Sequence, residues 1–208
     1  MIKDHSLEEF LDQLASRAST PGGGSAAAVM GAMGAALISM VCNLTIRNNN
    51  YAQVEVEMQR VLTQAEALRH SLVAMINADV EAFDAVVRAY ALPRATEDER
   101  AARMEAKQLA LKEATLVPLA GAKACVELMQ LSGIVAEKGN INLISDAGVA
   151  VAAAHAALRS AALNVCVNTK AIKDRVFAEQ QLVQLDSILR GSDRLADSVY
   201  EAVRAKLN

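Results

Sequence analysis

The sequence predicts an all-α fold, and three observations carry that prediction. Its apolar residues are mostly Ala, Val, Leu and Met, whereas aromatics are 3% of the 208 residues and Trp is absent; strands favour aromatic and β-branched side chains. Only three prolines and ten glycines punctuate the chain. Apolar positions recur at steps of three and four over long stretches, and no segment shows the two-residue alternation of a half-buried strand. With 53% hydrophobic and 22% charged residues, the chain can bury enough apolar surface to offset its ordering entropy, which excludes disorder. No fixed-period repeat or charge-rich linker divides it, so residues 1–208 read as one domain, an antiparallel multi-helix bundle.

The first helix is expected from Leu7 to about Arg17. Ser6 and Glu9 form a capping box, and Phe10, Leu11 and Leu14 form the apolar face. Thr20-Pro21-Gly22-Gly23-Gly24-Ser25 reads as a loop, with Ser25 placed to N-cap a second helix reaching about Ile46. That helix carries Ala27, Gly31, Ala35 and Ser39 at four-residue steps. Such a ribbon of small residues lets another backbone approach, within the bundle or across a dimer. After the polar turn Arg47–Asn50, a long pattern runs from about Ala52 to Tyr90. Its stripe is Met58, Leu62, Ala65, Leu68, Leu72, Met75, Ile76, Phe83, Val86, Val87 and Tyr90, and Pro93 ends it. Thr96 and Glu99 make a second capping box. The helix they open should kink or break at Pro118, with another from about Leu119 to Leu131. A polar loop is expected from Ser132 to Asp146, an Ala-rich helix from Ala147 to Val167, and an amphipathic tail from Lys170 to Leu207 interrupted at Gly191.

The net charge is −3 and the pI about 5.7, a balance that argues against coating nucleic acid. Cys42, Cys125 and Cys166 stand far apart, and His5, His70 and His155 make no ligand spacing. A disulfide framework and a metal site are therefore not expected, and the cysteines read as small hydrophobes in a reducing compartment. Nothing in the first residues resembles a signal peptide, so a cytoplasmic location is expected. The uncharged stretch from Ala18 to Ile46 meets the length of a membrane span. Its Pro-Gly-Gly-Gly run and its Ala, Gly and Ser content instead favour a helix buried in a soluble core.

Three features invite a functional reading. Asp79 lies four residues after Met75 and four before Phe83, on the apolar stripe. A carboxylate buried there must be paired, neutralised or functional, and a structural ion pair is as good a reading as a pocket. Asn140 and Asn142 with Ser145 and Asp146 converge beside a helix start, although taken alone they are better accounted for by turn chemistry and an Asp146 N-cap. The glycine loop lacks the GK[ST] ending of a nucleotide loop, but backbone amides at Gly22, Gly23 and Gly24 could approach an anionic or planar ligand.

Taken together these segments resemble the cyclodeaminase/cyclohydrolase family of folate enzymes. Thr20-Pro21-Gly22-Gly23-Gly24-Ser25-Ala26-Ala27-Ala28 is similar to its TPGGGSAAA signature, and Gly139-Asn140-Ile141-Asn142 with Ser145 through Ala150 to GNxNxxSDxGVA. Leu92-Pro93, Arg103, Lys107, Gln108, Pro118 and Asn164-Val165 continue the likeness across nearly the whole chain. The resemblance implies a helical homodimer working on a folate, with neither metal nor cofactor, and with no nucleic-acid or membrane partner. Two activities occur in the family. A cyclohydrolase adds water to 5,10-methenyltetrahydrofolate to give 10-formyltetrahydrofolate; a cyclodeaminase closes 5-formiminotetrahydrofolate and releases ammonia. Met40 through Ile46 looks close to stand-alone bacterial cyclohydrolases, which favours the first. The deaminase and a non-catalytic helical dimerisation module are the alternatives.

Both reactions centre on a carbon between two nitrogens in a cationic amidine. A carboxylate facing that carbon stabilises it and takes a proton from water, while a donor protonates the leaving nitrogen. The resemblance thus implies Asp79 and Asp146 as candidate carboxylates and Lys107 as the cationic group. Substrate contacts would come from Gly22, Gly23, Gly24, Ser25, Gln108, Asn140, Asn142 and Ser145. Two departures stand out: Ser19 replaces an expected proline, and Asn48, Asn49 and Asn50 stand where lysines are expected to meet the glutamate tail.

Overall fold

Both capping boxes form. In the computed structural model, which describes Asp4 and residues 6–208, Ser6 Oγ accepts the Glu9 N–H and Glu9 returns the bond to Ser6 N–H, starting α1 (Leu7–Leu14). Thr96 and Glu99 do the same for α4 (Glu97–Lys138). Between them lie α2 (Gly23–Asn43), a 3₁₀ turn over Asn49–Val54 and α3 (Glu55–Ala91). A short 3₁₀ turn, Ile141–Leu143, leads into α5 (Ile144–Ala171), followed by α6 (Arg175–Leu189) and α7 (Ser192–Leu207). Gly191, at φ +81°, makes the break between the last two, a left-handed conformation that suits glycine.

The helices α2, α3, α4 and α5 run up, down, up, down. Gly24 meets Asp79 and Gly31 meets Leu72 across α2 and α3; Met75 meets Gly121 and Glu57 pairs with Lys138 across α3 and α4; Ala114 meets Asn168 across α4 and α5. Their shared interior holds Ile38, Val41, Met58, Leu128, Met129, Val151 and Leu158, all fully enclosed. The small-residue ribbon is spent inside this bundle. A Cβ on Gly31 would lie 3.2 Å from both Leu72 methyls, and one on Gly34 3.0 Å from the Ala150 carbonyl oxygen, so α2 packs tightly against its neighbours. On the periphery, Phe10 of α1 caps Ala28 and Ile76, while α7 covers α4 and α5 through Val199 and Val203.

Several expected boundaries move, each for a local reason. α1 stops at Leu14 rather than Arg17, where Ser16 turns its hydroxyl onto the Gln13 carbonyl. Gly22, not Ser25, holds the N-cap position of α2, because the Ser25 hydroxyl is committed to α3. Asp146 is not an N-cap either; it sits in the first turn of α5, which starts at Ile144. The expected loop from Ser132 is helix to Lys138: Ser132 satisfies its hydroxyl on the Leu128 carbonyl, and Gly133 lets Val199 approach.

Pro118 does not break α4. Proline removes the N–H that would bond the carbonyl four residues back, which is that of Ala114. Asn168 Nδ2 donates to that carbonyl at 2.8 Å from the facing helix. The orphaned acceptor is satisfied and the helix continues.

Three helical segments, Gly23–Asn43, Glu97–Lys138 and Ile141–Ala171, are long and apolar enough to cross a membrane. Here they pack on one another, with 56%, 61% and 44% of their most apolar windows buried.

Candidate active site

The long apolar stripe of α3 does not stay covered. Met58, Val61, Ala65, Leu72 and Ile76 are buried, but Phe83, Val87 and Tyr90 are more than two-fifths exposed. Asp79 sits at the transition and is half-buried. Beyond it opens a cleft of about 250 Å³ walled by Phe83, Val86 and Tyr90 on one side and by Asn164, Val167 and Asn168 of α5 on the other.

The start of α2 holds the carboxylate in place. Ser25, with no exposed surface, donates its hydroxyl hydrogen to Asp79 Oδ2 at 2.8 Å, with the Ile76 carbonyl 3.4 Å away. Gly24 lies against the other side of the carboxylate: a Cβ at this position would run into Asp79 Oδ1 and stand 2.5 Å from its Cγ. This is the physical reason for glycine there, since the helix backbone has no other way to come so close. The first turn of a helix also carries positive partial charge, a favourable neighbour for a carboxylate. Gly23 is beside Asn164, 3.9 Å from its Nδ2 to the position of a Cβ. A second, apolar crevice adjoins Asp79 between Ala27, Met75, Pro118, Cys125 and Ala161; its volume of about 20 Å³ is room for one water. Burial there pushes the Cys125 thiol up to about 12, which keeps it protonated and inert.

No Lys, Arg or His among the described residues lies within ion-pair distance of Asp79. Among the described residues, the structural ion pair that the sequence allowed is not formed.

The other sequence candidates are elsewhere. Lys107 lies over the Tyr90 ring, 3.8 Å from its centroid, outside the Asp79 cleft. Gln108 ties down the α5–α6 connection, giving a hydrogen to the Ala171 carbonyl and accepting the Lys173 N–H. Gly22 has open space where a Cβ would be. The Asn140 motif sits at the far end of α2, about 30 Å from Gly24 over 21 residues of helix. There Asn140 makes three hydrogen bonds: its N–H bonds Thr45 Oγ1, its Nδ2 the Leu44 carbonyl, and its Oδ1 the Asn142 N–H. Tyr51 takes the Ile141 N–H, and Gly139 lets Val41 approach, so this motif clamps the ends of α2, α4 and α5 together. Ser145 is exposed beside it, and Asp146 is about 27 Å along α5 from Asn164. Within one chain, then, Gly23, Gly24, Ser25 and Asp79 converge, while Asp146 and Lys107 do not join them. Asn164 and Asn168 do join the cleft.

The family model for formiminotransferase-cyclodeaminase matches residues 6–187. The chain belongs to that family. A methenyltetrahydrofolate cyclohydrolase from Methylorubrum extorquens is 56% identical to it over 208 residues, the whole of both chains. The rat formimidoyltransferase-cyclodeaminase is 34% identical over 99% of this chain, which corresponds to 38% of the rat protein. The crystal structure of formiminotetrahydrofolate cyclodeaminase from Thermotoga maritima superposes with a TM-score of 0.83 at 35% identity, covering 100% of this chain and 98% of that one. The helical architecture and the family expected from the two signatures both stand.

Proposed function

We propose that this protein is a methenyltetrahydrofolate cyclohydrolase, with Asp79 as its general base. The observation that carries the chemistry is an ionisable carboxylate with no cationic partner among the described residues, held by Ser25 and Gly24 at the head of an aromatic-walled cleft. A planar, positively charged amidine supplies the missing charge and stacks between Phe83, Tyr90 and the α5 wall. The full-length identity to a cyclohydrolase selects water as the nucleophile.

Water attacks the carbon between N5 and N10 as Asp79 takes one of its protons. The adduct then collapses: the N5–carbon bond breaks, N5 takes the proton from Asp79, and the second water proton leaves to solvent as the formyl carbonyl forms on N10. Asp79 thus serves as base and then acid on adjacent atoms, with its orientation fixed by the Ser25 hydroxyl. The substrate is already a cation, so its electrophilic carbon needs no metal to polarise it, and no electron changes hands; the reaction as proposed uses neither metal nor organic cofactor. Its place is the cytoplasm, where thiols such as Cys42 and Cys125 stay reduced. We infer a homodimer as well. Its support is the exposed apolar side chains of Leu109 and Leu116 on α4 and of Leu163 on α5, not the α2 ribbon, which the bundle itself consumes.

The decisive experiment follows methenyltetrahydrofolate absorbance at a pH where spontaneous hydrolysis is slow. Protein-accelerated loss of the chromophore, unchanged after prolonged chelation, is the expected result. Appearance of the chromophore from 5-formiminotetrahydrofolate with ammonia release, and no hydrolysis, assigns the deaminase reaction named for the Thermotoga and rat relatives.

A further inference from the structure

Four side chains with hydrogen-bonding groups line the Asp79 cleft: Asp79 itself, Tyr90, Asn164 and Asn168. Tyr90 lies eleven residues along α3 from Asp79, a rise of about 16 Å. Asn168 has a structural duty, since its Nδ2 donates to the Ala114 carbonyl that Pro118 leaves open. Asn164, one turn earlier on α5, is different. Its one hydrogen bond among the described residues runs from Nδ2 to the Ser160 carbonyl at 2.9 Å. That carbonyl is four residues back on the same helix, where it already accepts the backbone N–H of Asn164. The side-chain bond therefore adds little to α5, and alanine is the better helix former in its place. It does fix the direction of the amide, and it leaves the second Nδ2 hydrogen and Oδ1 without a partner among the described residues.

The start of α2 brings this amide to the carboxylate. Gly23 and Gly24 are consecutive, so their Cα atoms are about 3.8 Å apart. A Cβ on Gly23 would stand 3.9 Å from Asn164 Nδ2, and one on Gly24 would run into Asp79 Oδ1. A carboxylate from α3 and an amide from α5 thus meet the cleft at adjoining points of one helical turn. Their chemistry is complementary: Asp79 takes a proton from the attacking water, and Asn164 has a hydrogen to give. The oxygen that water delivers calls for such a donor, because it ends as a formyl carbonyl, a strong acceptor. We propose that Asn164 Nδ2 donates a hydrogen bond to the oxygen added at the methenyl carbon and holds it from attack through to the formyl product. This role rests on the cyclohydrolase reading. The amide exchanges no proton, so the transfers through Asp79 balance without it. The methenyl cation carries no oxygen at this carbon. The contact is therefore absent from the substrate itself and strengthens as the new carbon–oxygen bond forms, which favours the transition state over the bound substrate.

Asn164→Ala and Asn164→Asp test this in the full chain. Asn164→Ala should melt within a few degrees of wild type. Its kcat should fall about 10²-fold, the usual cost of losing one donor to a developing oxygen, with KM for methenyltetrahydrofolate nearly unchanged. Inhibition by added 10-formyltetrahydrofolate, which does carry the oxygen, should weaken about tenfold. Asn164→Asp keeps the size and removes the donor. It also sets a second carboxylate beside Asp79, in a cleft whose other titratable side chain among the described residues is the Tyr90 phenol. The acidic limb of the pH–rate profile should then move up by about one unit. A limb that stays in place shows that the two side chains are not neighbours, and overturns the inference. So does an Asn164→Ala enzyme with wild-type kcat, or one whose loss of kcat matches a fall in melting temperature. An equal shift of KM and product inhibition also overturns it, because a side chain that only shapes the cleft acts on both. These outcomes leave the activity standing, since the wild type still consumes methenyltetrahydrofolate. A wild type that consumes none overturns the cyclohydrolase reading, and this role with it.

Discussion

Asp79→Asn separates charge from shape. The Asn carbonyl can still accept the Ser25 hydroxyl, and no stranded cation is left behind, so the melting temperature should stay within a few degrees of wild type. Turnover should fall about 10²–10⁴-fold, the usual worth of a positioned acid or base. Thermal melting and initial rates on one preparation check both halves; a badly destabilised variant whose folded fraction keeps full activity refutes the assignment. Gly24→Ala probes the same carboxylate from its other side. The added methyl has to displace Asp79, and a shift of about 1 Å at a reacting group costs on the order of 10²-fold, so kcat should drop while folding survives. Asp79 was legible in the sequence because an acid at i+4 from Met75 and i−4 from Phe83 breaks an apolar stripe. Asn164 and Asn168 were not, because a lone Asn on an Ala-rich helix says nothing until the facing helix is known.

At the level of elements, α4 owes its length to a neighbour. Asn168→Ala should leave the buried Ala114 carbonyl unsatisfied and destabilise by about 1–3 kcal/mol in a denaturant titration. Adding Pro118→Ala returns an N–H to that carbonyl, so the double variant should recover most of the loss; a double variant as unstable as Asn168→Ala alone argues against this pairing. The tight seams of α2 are equally testable. Gly31→Leu drives new atoms into Leu72 and Cys125, an overpacking expected to cost about 3 kcal/mol or more. In α3, Arg69 grips Glu66 through Nε and Nη2 at 3.0 and 2.6 Å, and this holds the Glu66 carboxyl at about 2 instead of its ordinary 4.5. A depressed acid stabilises the fold fully above 4.5, and the contribution fades as pH falls towards 2. Both side chains are about a third exposed, so the gain is about 0.5–1 kcal/mol. The melting-temperature gap between wild type and Arg69→Gln should therefore be open at pH 7 and close between pH 4.5 and 2.

For the whole molecule, the inferred homodimer predicts a sedimentation mass of about twice the 22.1 kDa chain at micromolar concentration; a monomer mass rejects it. The sequence by itself determined the helical class, both capping boxes and the identity of the family, because these depend on spacing and residue type within short windows. It also isolated Asp79, since one helix face suffices to mark a misplaced charge. Only the tertiary structure decided which motifs meet. The glycine signature and the Asn140 signature, read as neighbours in one pocket, lie at opposite ends of α2; one cradles a carboxylate and the other staples helix ends. The continuation of α4 through Pro118 and the use of the small-residue ribbon inside the bundle were decided at the same level. Each depends on a side chain contributed by a segment distant in sequence, and helix crossings set those meetings in ways that local periodicity does not encode.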